Sequence, residues 1–149
     1  MKPGQIFRHW TQVRRDLNLT IEKFSEAELS YAPFPGSWPA GQIMLHIADC
    51  EDNWLHGVVR GEFTPWIFYE FSAYPTRTAI LEMLEKAHAR TAAFLESLDE
   101  RDLARKYLIP DGPEISLYWI IWHVLEHEIH HRGELSLILG LLGREGLDV

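Results

Sequence analysis

An all-α fold, a bundle of four helices, is what the sequence predicts. Three observations carry that expectation. Apolar residues recur at three- and four-residue steps in four segments, proline and glycine separate the segments, and no convincing alternation marks a strand. The first segment runs from about Gln5 to Leu29, with Ile6, Trp10, Val13, Leu17, Ile21 and Phe24 on its stripe. Pro33, Pro35 and Gly36 break it. The second begins near Pro39, read as a first-turn proline after Ser37, and stops at Gly61. Thr76 caps the third, whose stripe is Ile80, Leu84, Ala87, Thr91, Leu95 and Leu98. Ser116 caps the fourth, which ends at Gly143. Pro110-Asp111-Gly112-Pro113, before it, is a strong turn signal. Residues 62–74 hold Phe63, Trp66, Phe68, Tyr69, Phe71 and Tyr74. They read as a flap over the bundle, with a pocket mouth or a dimer contact as the alternative.

The 149 residues fit a single domain, 1–149. Fourteen basic against 22 acidic residues give a charge of −8, which argues against nucleic acid or an anionic membrane as partner. A hydrophobic content of 46% excludes disorder. No apolar run approaches the roughly 18 residues of a membrane span, and no signal peptide opens the chain. The lone Cys50 forbids an internal disulfide, so a cytoplasmic protein is expected. Eight histidines remain, four of them between His123 and His131.

Helical residues advance by about 100° each, which places the fourth helix by arithmetic. Leu117, Ile120, Val124, Leu135, Ile138 and Leu142 form its core stripe. His131 falls in the middle of that stripe and His127 at its edge, while His123 is borderline and His130 points outward. Two imidazoles one turn apart and facing the interior need partners. A divalent metal supplies one, and a hydrogen-bonded pair of core histidines is the other reading. On the second helix Ile43, Ile47, Cys50, Trp54 and Val58 form the stripe, with His46 at its edge as the best third ligand. Asp49, Asp52 and His56 fall on the opposite side, His56 at the surface. Three histidines leave a position open for water or substrate. Zinc, nickel and iron all suit them. Cys50 could join a soft metal and reads first as a small core residue. Glu134, one turn past His131, could steady a ligand ring or bound water, and Glu128 could act as a base.

Two further patterns match by spacing. His127-Glu128-Ile129-His130-His131 satisfies the zincin H-E-x-x-H, but Glu134 and Leu137 replace the glycine and histidine of its extended form. Glu85-x-x-His88 with Glu128-x-x-His131 imitates a ferritin-like di-iron bundle, but Glu85 projects away from its helix's apolar stripe.

The run from Pro35-Gly36-Ser37-Trp38-Pro39 to His46-Ile47-Ala48-Asp49 resembles the second-helix entry of the damage-inducible DinB-like proteins. His127-Glu128-Ile129-His130-His131-Arg132-Gly133-Glu134 resembles their fourth-helix motif, and the similarity of order and spacing extends over nearly the whole chain. The resemblance implies an up-down four-helix bundle, often a homodimer, with His46, His127 and His131 holding a divalent metal. Glu134 stands where that family usually has glutamine. Members of the wider superfamily transfer low-molecular-weight thiols such as bacillithiol or mycothiol, or act as metal-dependent hydrolases and isomerases. The expectation is a metalloenzyme, with Glu128 and Glu134 as catalytic groups, whose metal activates a thiol or water for attack on a small electrophile. The alternative is a non-catalytic stress-response binding module with a structural or vestigial metal.

Overall fold

Four long helices, α2 (Trp10–Glu22), α3 (Ala40–Glu51), α4 (Arg77–Ser97) and α5 (Leu117–Leu141), follow a short α1 (Pro3–Ile6) in the computed structural model, which describes residues 2–64, 66–109 and 111–146. They form the expected all-α bundle: α3 packs on α4 and α5, and α2 packs on α5 and α4. The caps lie where the sequence put them. Thr76 Oγ1 accepts from Ala79 N at 3.2 Å, and Ser116 Oγ accepts from Trp119 N at 3.2 Å.

Three boundaries differ from expectation. The first segment is interrupted at Phe7–His9, and α2 ends at Glu22. Ser25 and Glu28 then exchange backbone-to-side-chain bonds in a capping box that starts a separate 3-10 turn, Ala27–Ser30. Pro39 sits just before the first residue of α3 rather than within its first turn. Finally, α3 continues as a π-helix over Asp52–Val59, and Gly61, at φ 65°, stops it.

Where no strand was expected, Lys106–Leu108 (β1) pairs antiparallel with Glu114–Ser116 (β2). Three residues are too few to show alternation in a sequence. Asp111 takes φ 57° in the turn between them, and Pro110 lies outside the described residues.

Two apolar clusters fill the bundle. Leu17, Phe24, Met44, Leu84, Leu135 and Leu139 belong to one, and Trp10, Leu55, Leu95, Leu117, Ile120 and Ile121 to the other. The helices carry buried polar side chains between the two: Arg14 on α2, Glu51 on α3, Thr91 on α4 and Glu128 on α5. Arg14 donates to both carboxylates, Nη2 to Glu51 Oε2 at 2.7 Å and Nε to Glu128 Oε1 at 2.9 Å. Burial alone would raise the carboxyl of Glu51, but Arg14 and a 3.0 Å contact with His88 Nδ1 hold it below the usual carboxylate range.

Residues 62–64 and 66–74 form an irregular strap across α3 and its π-helical extension. Gln42 docks it with both ends of its amide, donating to Tyr69 O and accepting from Phe71 N, each at 2.9 Å. Asn53 does the same for Ile67 O and Ile67 N at 2.8 Å. Asp49 accepts from Tyr69 N at 3.3 Å, and Asp52 accepts from the Tyr69 hydroxyl at 2.6 Å. Asp49, Asp52 and His56, expected on the outer face, are therefore buried. The strap covers that face, and the π-helix changes the angular step on which the expectation for His56 relied.

Candidate metal centre

His46 on α3 and His127 and His131 on α5 meet where the two helices pack. His127 Nε2 lies 3.1 Å from His46 Nε2 and 3.2 Å from His131 Nε2. Both separations are close to the ~3.3 Å edge of a tetrahedron built on zinc–nitrogen bonds of about 2.0–2.1 Å. The three rings meet edge to face, and all three are half-buried at the margin of the core.

The partners behind the rings decide their tautomers. His46 Nδ1 faces Asp49 Oδ1 at 2.9 Å, and His131 Nδ1 faces Glu134 Oε2 at 2.7 Å. Each of these nitrogens therefore carries the proton, and each Nε2 presents a lone pair to the centre. A neutral His127 offers at most one proton there, so at least one lone pair lacks a donor among the described residues. His127 Nδ1 is buried with no hydrogen-bond partner among them. Burial, reinforced by His131 and His46, drives the His127 pKa down to about 3, so its ring stays neutral at ordinary pH. Burial lowers His131 too, with Glu134 opposing. Three converging Nε2 atoms, two of them presenting lone pairs fixed by the carboxylates behind their rings, fit a divalent transition-metal ion.

The other candidates fall elsewhere. Glu128, considered as a base, is 1% exposed, and both its oxygens are taken: Arg14 Nε donates to one, and Trp10 Nε1 (2.7 Å) and Arg14 Nη2 (2.8 Å) donate to the other. It does not join the ligand atoms, as a zincin base would. Glu85 is exposed while Glu128 is buried, so the two Glu-x-x-His pairs do not converge as a di-iron site needs. Cys50 is buried, its thiol pushed up in pKa by desolvation, and it is not among the described groups that could share an ion. His123 stacks on Trp119 at 4.8 Å and stands 6.3 Å from His127, ring centre to ring centre. His130 is exposed. It could join His131 and Glu134 in a second, overlapping group.

Asp49 is the functional residue that helical periodicity missed. The signal was local: His46-x-x-Asp49 puts a carboxylate one turn from the ring it orients. Trp38 was missed as well, and its ring meets His46 edge to face at 4.9 Å.

Comparison with known proteins agrees with this architecture. The profile of the DinB superfamily matches residues 9–135. The uncharacterised protein YjoA of Bacillus subtilis is 26% identical over 146 residues, covering 97% of this chain and 93% of that protein. Its crystal structure, described as DinB-like, superposes with a TM-score of 0.76. YfiT of Bacillus subtilis, whose name puts it forward as a metal-dependent hydrolase, is 27% identical over 154 residues, covering 88% of this chain and 84% of that protein. A DinB-like protein from Bacillus cereus shares the fold at a TM-score of 0.83 and 18% identity, over 100% of this chain and 99% of that one.

Proposed function

Since the chain belongs to the DinB superfamily, we propose that it is a metal-dependent enzyme using His46, His127 and His131 to act on a small electrophile. The observation that carries this reading is the convergence of three Nε2 atoms, two of them fixed as lone-pair donors by Asp49 and Glu134. An ion held there, zinc, nickel or iron, would supply the Lewis acidity that makes a water or a low-molecular-weight thiol nucleophilic near neutral pH. Asp49 and Glu134 keep the outer nitrogens protonated and aim the rings. Glu134, 39% exposed in its side chain, accepts from His131 Nδ1 and steadies that ring from behind. Trp38 shields the His46 edge from solvent.

A cytoplasmic homodimer is part of the proposal. Tyr118, Trp122 and Ile129, exposed along one side of α5, supply an apolar face for the second copy. No described helix is long and apolar enough to cross a membrane.

Metal analysis of protein purified without a histidine tag tests the reading. About one equivalent per chain is expected at neutral pH, falling to background in the double variant His127→Ala, His131→Ala. Absence of metal from the unmodified chain overturns it.

A further inference from the structure

A cavity of about 760 Å³ opens between the π-helix, the strap and the β-hairpin. Trp54, Val58, Phe63, Trp66, Leu108 and Ile109 supply its walls. None of its described lining residues carries a charge, and Thr64 brings its only hydroxyl. The π-helix is what builds it, because Trp54, Gly57 and Val58 all lie within Asp52–Val59. Gly57 lets the strap close on that helix: a Cβ there would stand 3.0 Å from the Phe63 ring.

Two packed side chains, Trp54 and His123, stand between the cavity and the candidate metal centre. Trp54 lines the cavity, meets Trp66 at 5.4 Å, and meets His123 edge to face at 5.2 Å. His123 in turn borders His127. An apolar hollow of this size suits the apolar body of a small organic molecule. Trp66 (50% exposed) and Leu108 (70% exposed) leave apolar surface open at its mouth.

We infer that this cavity binds the apolar, aromatic body of the electrophile, with its reactive head directed past His123 toward His127. The inference rests on the functional reading above for the head and on the cavity alone for the body. The offered surface is rings and aliphatic carbons with no cation or anion to pair, so a charged or sugar-like body gains nothing there.

Two probes separate these parts: naphthalene, a body without a head, and 2-naphthoate, a body with a metal-binding head. Quenching of tryptophan fluorescence reports binding to metal-free and cobalt-loaded protein. Naphthalene is expected to bind both forms equally. 2-Naphthoate is expected to bind the cobalt form about tenfold more tightly and to alter its visible spectrum. Val58→Phe, which fills the cavity, and Leu108→Trp, which narrows its mouth, are each expected to weaken naphthalene about tenfold. Unchanged metal content and circular dichroism would show that both variants fold. Naphthalene affinity that both variants leave intact overturns the inference, as does loss of binding when the protein self-associates, which would give the cavity to a second copy. A chain that binds naphthalene but no metal supports the cavity and refutes the histidine reading. A chain that holds metal and binds neither probe does the reverse.

Discussion

Glu128 accepts Nε and Nη2 of Arg14 at 2.9 and 2.8 Å, joining residues 114 positions apart inside the bundle. The neighbour of a candidate metal ligand is thus a structural anchor between α2 and α5. Arg14 would keep Glu51 in Glu128→Gln, but one amide oxygen cannot replace the two carboxylate oxygens that accept Trp10 Nε1, Arg14 Nε and Arg14 Nη2, and the new NH2 would face a donor. Glu128→Gln is therefore expected to lower the unfolding free energy by about 2 kcal/mol in urea titrations while metal content stays near one per chain. If the variant is as stable as the parent but inactive, Glu128 is chemical and not structural.

Asp49 is nearly fully buried and receives two donors, His46 Nδ1–H and Tyr69 N–H. In Asp49→Asn a single carbonyl oxygen would have to serve both, because the amide nitrogen donates too. Metal affinity, measured by competition with a chelator, is expected to fall about 10–100-fold. Glu134→Gln should behave differently. Its side chain is 39% exposed, and a glutamine oxygen can still accept from His131 Nδ1. Less than about a tenfold loss is expected there. Equal losses in the two variants would show that Asp49 does no more than Glu134 to orient the site.

The grouping of His46, His127 and His131 was legible because α5 is a regular helix over Leu117–Leu141, so about 100° per residue holds along its length. His56 was not legible, because it sits in the π-helix. Asp49 and Asp52 were expected on the outer face for a different reason. A polar residue on a helix face reads as exposed unless something covers it, and the aromatic run expected as a flap has no periodicity to say which face it covers. The role of Glu128 depends on Arg14, a partner too distant in the chain to leave a local signal. The hairpin strands are three residues each, below the length at which alternation shows.

His56 makes stability depend on pH. It is fully buried, neither ring nitrogen has a hydrogen-bond partner among the described residues, and Asp52 Oδ1 and Glu62 Oε1 stand 3.9 Å away. Burial lowers its pKa, with Arg90 and Arg60 adding and Asp52 and Glu62 opposing. A histidine lowered in the folded state takes its proton first in the unfolded chain, near pH 6.5. Its contribution is complete above that pH and is lost as pH falls below it. The Tm of the metal-free protein should therefore drop between about pH 7 and pH 5, less steeply in His56→Gln. His127, lowered to about 3, contributes in the same direction in both proteins. Parallel Tm curves for the two would show that His56 is not responsible.

Asn53 tests whether the strap is held by side chains. Its amide gives Ile67 both a donor and an acceptor at 2.8 Å, as a neighbouring strand would. Leucine fits the volume but leaves the Ile67 N–H and C=O without those partners, at about 2 kcal/mol for half-buried groups. Asn53→Leu should therefore unfold at lower urea concentration. Amide exchange should quicken at Ile67 and Tyr69, while the α5 amides around Val124 keep their protection until global unfolding. Trp66 and Phe68 flank Ile67, so their fluorescence and packing should loosen with it, and the wall Trp66 gives the cavity should soften. If exchange quickens uniformly through the chain, the strap is part of the cooperative core, and the Asn53 bonds stabilise the whole bundle instead of docking one segment.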